Sequence, residues 1–361
     1  MQFLAGTYTQ GTQSQGLYCL NAEPASALQA AELDLAVENP SFLCAHPTRP
    51  KVYLVEEMGA DDGGGWVSSL VAEGGTVRQC ERHSTRGDDP CHLAVSPDGR
   101  WLAVANYSSG TVQLFSLDSE GEIEGHQLSL DHRADFARRR DEPGRHSERQ
   151  AAPHAHFVYW RDDDSLMICD LGNDEVYCYE GNPEAPAQGL GFRCTRRWTL
   201  PRGSGPRHLA FSSDPDLFWV LAELSNQVFV CHYEKETVGI GVPTLPSGCD
   251  VFSEAAEIVF NEERSELWVS NRGLDDVVCF DTSDNQMLAV KRRLGTGAYP
   301  RHFTWVRGLL VVASRDPGRV EIFDVELAAG QARLVTTAYV PAVVCVLPLD
   351  GTAFGQALRK R

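Results

Sequence analysis

Apolar residues fall in short runs that stop at turn residues, and the runs come in groups of four. One group reads Pro90–Ser96, Trp101–Tyr107, Thr111–Leu117 and Glu122–Leu130, with Ser96-Pro-Asp-Gly99 and Ser108-Ser-Gly110 as breaks. Runs of this length, rich in Val, Leu, Trp and Tyr and closed by Ser, Asp, Pro or Gly, predict strands joined by turns. A later group reads Pro206–Phe211, Leu217–Leu224, Gln227–Tyr233 and a glycine-rich fourth element. The next gives Glu257–Phe260, Glu266–Ser270 and Val277–Phe280. Nowhere does a convincing amphipathic helix of about ten residues or more emerge, so the expected class is all-β.

The groups repeat. Their first strands begin at Pro40-Ser-Phe-Leu, Pro90-Cys-His-Leu, Pro153-His-Ala-His, Pro206-Arg-His-Leu, Ala255-Ala-Glu-Ile, Pro300-Arg-His-Phe and Pro341-Ala-Val-Val. The steps are 50, 63, 53, 49, 45 and 41 residues. A period near 40–50 with four strands per repeat predicts a propeller. After Pro341 only one strand fits, Val343–Leu347, whereas the chain opens with three unpartnered strands, Phe3–Tyr8, Gly16–Asn21 and Leu28–Leu35. One and three complete a blade, which leaves no open sheet edge. The expectation is a seven-bladed β-propeller of four antiparallel strands per blade. It forms one domain over residues 1–350, its last blade closed by N- and C-terminal strands, with a frayed tail over 351–361.

Charge and composition narrow the function. The 361 residues carry 32 Lys and Arg against 50 Asp and Glu, a net charge of −18. This excess argues against a nucleic-acid or anionic-membrane footprint. Met1-Gln-Phe-Leu-Ala-Gly-Thr-Tyr has no basic leader, and no apolar run approaches the roughly 20 residues that span a bilayer. A cytoplasmic protein, monomeric or weakly self-associating, is expected. Of the 11 cysteines, Cys19, Cys44, Cys169, Cys178, Cys231, Cys279 and Cys345 lie in apolar runs, and there is no C-x-x-C pair. They read as reduced core residues.

Topology says where chemistry gathers. In each blade, the start of the first strand and the end of the antiparallel second lie at the same end. First-strand starts carry His92, His154, Arg207, His208, Glu257, Arg301 and His302; second-strand ends carry Tyr8, Glu57, Asn106, Asp170, Glu223, Asn271, Arg272 and Arg315. Charged groups converging on a rigid scaffold make a binding site. Asn271 and Gly273 fit a turn role equally well. His154 and His156 share a strand face and could hold zinc, but no third ligand is evident, so no metal or other cofactor is expected. Gly203-Ser-Gly-Pro206 is either a tight turn or an anion cradle. The longest insertion, His132–Arg149, holds six arginines and reads as a cationic lid or a solvated loop.

Further motifs follow in order: Gly6-Thr-Tyr, Asn39-Pro-Ser-Phe42, Pro97-Asp-Gly-Arg100, Ala105-Asn-Tyr107, Pro153-His-Ala-His156, Asp170-Leu-Gly172, Gly203-Ser-Gly-Pro-Arg-His208, Glu223-Leu, Ser270-Asn-Arg-Gly273 and Pro300-Arg301. Together they resemble the lactonase family of seven-bladed propellers. Its bacterial type is a 6-phosphogluconolactonase and a second branch is a fungal carboxy-muconate cyclase. The resemblance implies a His, an Arg, a Glu and a further Arg at one mouth of the channel, falling on His154, Arg207, Glu223 and Arg272. Ser314-Arg-Asp-Pro-Gly318 and the glycine-rich Gly59–Gly65 depart from the pattern.

The resemblance also implies hydrolysis of an anionic sugar lactone, 6-phosphogluconolactone to 6-phosphogluconate. Glu223 or His154 would be the base and Arg207 would stabilise the oxyanion. Arg272 and Arg301 would hold the phosphate or carboxylate. Asp170, Glu57 and Asn106 would meet hydroxyls, with His156 and His208 completing the site. The alternatives are a muconate-type lactonising cyclase and a non-catalytic propeller that binds protein on its rim.

Overall fold

The computed structural model describes residues 1–22, 32–139, 146–181, 191–284, 287–325 and 332–359. The chain opens with β1 (Gln2–Thr7), β2 (Gly16–Asn21) and β3 (Glu32–Ala36). A four-stranded sheet follows from β4 (Pro40–Ala45), β5 (Lys51–Glu56), β6 (Trp66–Glu73) and β7 (Thr76–Ser84). The next comprises β8 (Pro90–Val95), β9 (Trp101–Asn106), β10 (Thr111–Leu117) and β11 (Ile123–Asp131). A short helix, α1 (Arg133–Arg139), precedes β12 (Ala155–Asp162), β13 (Ser165–Asp170), β14 (Glu175–Glu180) and β15 (Arg193–Thr199).

The fourth repeat comprises β16 (Pro206–Phe211), β17 (Leu217–Ala222) and β18 (Gln227–His232). Its glycine-rich outer element is split into β19 (Thr237–Val238) and β20 (Val242–Pro243). The fifth has β21 (Glu254–Asn261), β22 (Glu266–Arg272), β23 (Asp276–Asp281) and β24 (Ala289–Gly295). The sixth has β25 (Ala298–Val306), β26 (Leu309–Asp316), β27 (Arg319–Asp324) and β28 (Arg333–Tyr339). Finally β29 (Val343–Pro348) pairs with β1, giving a sheet ordered β29-β1-β2-β3. Among the described residues these make seven sheets, six of four strands and one extended by β20. The fold is the seven-bladed β-propeller, completed by strands from both ends of the chain.

The chain forms two compact units, Met1–Ala36 with His208–Asp350, and Val37–Arg207 with Gly351–Arg361. In the first, Phe3, Ala5, Val311, Ala313 and Val346 pack together, and Trp219, Leu221, Val269 and Phe280 form another cluster. In the second, Trp101, Ala103, Val158, Ile168 and Tyr177 do the same. These clusters join apolar faces of successive sheets. Sequestered side chains of this size are the main source of stability, about 25 cal/mol per Å² of apolar surface. All eleven cysteines are free thiols. Burial pushes the Cys19 thiol up to about 11 and that of Cys279 to about 12.

The tail differs from the frayed end expected over 351–361. Residues Ala353–Leu358 form helix α2, capped by the Thr352 hydroxyl, with Phe354 and Leu358 buried and the helix resting on β5 and β6. Four apolar side chains in six residues, Ala353, Phe354, Ala357 and Leu358, are too short a pattern to read as periodic.

One local irregularity recurs and positions the site. Register slips by one residue at the start of β4, β8, β12, β21, β25 and β29. The pairs Pro40↔Glu56 then Phe42↔Val55, and Pro300↔Ser314 then His302↔Ala313, each skip one residue. A β-bulge of this kind re-aims the extra side chain. The skipped residues are Ser41, Cys91, His156 and Arg301; in β21 the surplus lies across Ala256 and Glu257. The bulge also corrects the repeat frame. The third repeat starts at Ala155, not Pro153, because Ala155↔Asp170 is the counterpart of Pro90↔Asn106. His156, not His154, thus occupies the position of Cys91 and Arg301.

Candidate functional site

Alternation along the second strands sorts the polar residues expected at their ends. Thr7, Glu56, Asn106, Asp170, Asn271 and Ser314 stand at corresponding register positions and are buried. Each makes a hydrogen bond close to home. Thr7 donates to Gly16 O, Glu56 accepts from Ser68 and Arg82, Asn106 donates to Thr111, Asn271 donates to Asp276, and Ser314 donates to Glu321. The next residue in each strand faces the opposite way. That set is Tyr8, Glu57, Tyr107, Leu171, Arg272 and Arg315, with Glu223 following Ala222 at the end of β17.

Two expected substrate contacts therefore fall on the structural face. The Asn106 amide donates to Thr85 O at 3.1 Å and Thr111 Oγ1 at 3.2 Å, and its side chain lies where a Cβ on Gly87 would stand. Asp170, with a fully buried side chain, accepts from His132 Nδ1 at 2.8 Å on Oδ2. Its Oδ1 accepts from the His154 and Asn173 backbone N–H groups at 2.8 and 3.0 Å. Both Asp170 oxygens and both Asn106 amide hydrogens are thus engaged inside the fold, which leaves them to structure rather than to a ligand hydroxyl.

Within the Val37–Arg207 unit, Tyr107 is the hub. Its ring stacks on His154 with centroids 4.4 Å apart and meets His156 edge-on at 5.6 Å. Its carbonyl is 2.9 Å from His154 Nδ1, and its hydroxyl accepts from Arg149 Nη2 at 3.3 Å. A carbonyl only accepts, so Nδ1 of His154 carries a proton, and in the neutral ring Nε2 keeps its lone pair. His156 shows the same tautomer. Arg207 Nη1 stands 2.6 Å from His156 Nε2, and a guanidinium only donates, so Nε2 accepts. That nitrogen is taken by a cation, which opposes the H-x-H zinc arrangement. Among the described residues no cluster of three or more His, Cys, Asp or Glu stands ready for a metal. Glu57 is half-buried in the same unit, its backbone paired with Asn39.

One sequence alternative is decided here. The Gly203–Gly205 turn does cradle an anion, but the anion is Asp174. Its Oδ1 accepts from Gly205 N at 2.8 Å and its Oδ2 from Gly203 N at 3.1 Å. Burial nonetheless raises the Asp174 carboxyl above its ordinary range. The arginine-rich insertion is anchored at both ends, by His132 on Asp170 and by Gln150 on Leu171 O and Asp174. Its helix α1 is tied by Asp135 to Arg197 at 2.7 Å. Arg149 is its cation on the Tyr107 hydroxyl; Arg140 and Arg145 lie outside the described residues.

Within the other unit, Glu223 and Arg272 form a buried ion pair at 3.0 Å. Arg272 also donates to Glu254 O, Tyr299 Oη and Ala255 O at 3.2, 3.2 and 3.3 Å. Four of five N–H donors are committed, so Arg272 is an internal brace rather than the phosphate clamp expected of it. Arg301 lies over the Tyr8 ring at 5.1 Å and Arg315 over Tyr299 at 3.7 Å, as cation–π contacts. His208 is buried, with Nδ1 2.9 Å from Glu257 Oε1; the second Glu257 oxygen is 3.7 Å from His302. His208 is thereby part of a carboxylate-bridged histidine pair rather than a substrate contact.

Sequence reasoning missed Tyr107, Tyr299 and His132 as functional candidates. Tyr107 was recoverable by stepping one residue past Asn106, onto the other strand face. Tyr299 holds φ at +59°, unusual for an aromatic residue, and no sequence signal marks it.

A family model described as "Lactonase, 7-bladed beta-propeller" matches residues 2–348. The 6-phosphogluconolactonase of Bacillus subtilis is 26% identical over 355 residues, covering 94% of this chain and 96% of that protein. A crystal structure of a putative 6-phosphogluconolactonase from Bacteroides fragilis superposes with a TM-score of 0.82 at 27% identity, covering 96% and 97% of the two chains. The structure of a periplasmic gluconolactonase from Pseudomonas aeruginosa gives 0.83 at 26% identity, covering 96% and 98%.

Proposed function

The chain belongs to the lactonase family of seven-bladed β-propellers, and on that premise we propose that it hydrolyses the lactone of a sugar acid, with 6-phosphogluconolactone as substrate and 6-phosphogluconate as product. The observation that carries the mechanism is the tautomer of His154. Its Nδ1 proton is held on the Tyr107 carbonyl, so Nε2 is a fixed acceptor beside a ring that touches the His156–Arg207 pair.

In this reading Nε2 of His154 takes a proton from water as the oxygen attacks the lactone carbonyl carbon. The Arg207 guanidinium receives the negative charge that develops on the carbonyl oxygen. Collapse breaks the bond to the ring oxygen, which leaves as a hydroxyl after taking the proton back from the imidazolium. No group outside the protein, the lactone and water is needed. His156 accepts from one Arg207 nitrogen and so fixes the orientation of the guanidinium. Of the two candidate bases, Glu223 is the weaker, because the Arg272 guanidinium at 3.0 Å favours its ionised form as a fixed charge.

The test is turnover of freshly prepared 6-phosphogluconolactone at slightly acidic pH, where spontaneous opening is slow. A rate well above the protein-free blank is expected, and a rate equal to the blank sinks the proposal. Glucono-1,5-lactone under the same conditions separates a phosphorylated from an unphosphorylated substrate. Loss of muconate absorbance on mixing would instead indicate the lactonising cyclase.

A further inference from the structure

The insertion between β11 and β12 begins with a histidine whose imidazole hydrogen-bonds Asp170. His132 is fully buried, and its ring stacks on Tyr177 with centroids 4.0 Å apart and a 20° tilt. Its Nδ1 lies 2.8 Å from Asp170 Oδ2, and its Nε2 is buried without a hydrogen-bond partner. An ionised carboxylate only accepts, so the proton sits on Nδ1. The other Asp170 oxygen accepts from the backbone N–H of His154.

The segment that carries His154 is also held from the other side. Leu171 N donates to His154 O at 2.9 Å, and a Cβ on Gly172 would stand 1.9 Å from Ala152 O. The turn 170–174 and the segment 152–154 thus fit as one piece, and Asn173 ties Asp170, the His132 carbonyl and the Tyr177 hydroxyl into it. His132 is the one member contributed by the insertion side. A buried histidine that leaves half its hydrogen-bonding capacity unmet carries a cost, and the contact it secures in return is the one that orients Asp170.

We propose that His132 is a positioning residue for His154: by fixing Asp170 it sets the backbone that presents the His154 ring to the Tyr107 carbonyl. This rests on the reading of His154 as the base, and the experiment separates the two. The protein is labelled with ¹⁵N-histidine, and His154 is assigned by the His154→Gln variant. In the wild type its long-range ¹⁵N–¹H pattern should show protonated Nδ1. In His132→Phe, which keeps the stack on Tyr177 but loses the donor, that pattern should move toward a mixture of tautomers. With it, kcat should fall about 10- to 100-fold with KM nearly unchanged. His132→Asn, whose amide N–H can stand in for Nδ1, should restore both readouts toward wild type.

A folded His132→Phe protein with an unchanged His154 pattern and unchanged kcat overturns the proposal. If that variant does not fold, Asp170→Asn carries the same test, because it keeps shape and removes one acceptor. If the wild type turns over no lactone, the proposed function falls, while the tautomer readout still decides the role of His132.

Discussion

Replacing Arg272 by Met should cost far more stability than replacing its partner Glu223 by Gln. Arg272→Met leaves a carboxylate in the interior at the site of a 3.0 Å ion pair. Breaking one side of a buried pair costs about 3–5 kcal/mol. The Glu254 and Ala255 carbonyls also lose donors at 3.2 and 3.3 Å, adding about 1 kcal/mol each. The total, about 5–7 kcal/mol, is comparable to the whole stability of an ordinary domain. Glu223→Gln keeps an oxygen facing the guanidinium, and Glu254 Oε2 remains 3.8 Å away as a counter-charge. That loss should stay near 1–2 kcal/mol. Urea titrations followed by circular dichroism and tryptophan fluorescence measure both. With slopes of about 1–3 kcal/mol per M or more, the midpoints should differ by more than about 1 M. The double variant should be milder than Arg272→Met alone, since no charge is stranded. Coincident midpoints for the two single variants would refute the brace.

Three further outcomes are expected. His154→Gln should lower lactone turnover by about 10²-fold or more, the usual contribution of a general base, while circular dichroism stays unchanged. Gly172→Ala forces the Ala152 carbonyl away from a Cβ that would lie 1.9 Å from it, so both thermal midpoint and kcat should drop, by about 1–3 kcal/mol in stability. His46, held neutral by burial, has its pKa lowered; its Nδ1 accepts from Thr48 and Arg49 and its Nε2 is bonded to Gly99 O. Its charged form is disfavoured in the fold, so its contribution is complete above pH 6.5, the unfolded value, and is lost as pH falls below that toward the folded value. His46→Gln should flatten this limb in urea midpoints measured from pH 7.5 to 5.

The strands were legible because each run of apolar residues ends at a residue that can turn the chain. Thr111–Leu117 and Pro206–Phe211 match residue for residue. Closure of the last blade was legible as a count of unpaired strands. Two things were hidden. The third repeat carries a proline two residues before its strand, so a frame anchored on proline slipped and made His154 and His156 exchange places. The candidate list also mixed two strand faces, because a side chain's face depends on register, which a bulge shifts without marking the sequence. That is why Asp170 and Asn106 read as ligands and Tyr107 did not. Arg272 was found, but its role depends on partners at Glu254, Ala255 and Tyr299, two of them main-chain carbonyls that no residue pattern reveals.

The pairing of β1 with β29 has a consequence for how the protein is made. Thr7 faces Val343 across that ladder. At about 5–20 residues per second, a ribosome needs roughly 20–70 s to supply the partner that β1 lacks. For that interval the nascent chain offers the bare hydrogen-bonding edge of β1 to any other strand in reach. A chain interrupted before Val343 keeps that edge permanently. Emergence of β29, rather than the collapse of any one sheet, is then the event that ends its exposure to misassembly.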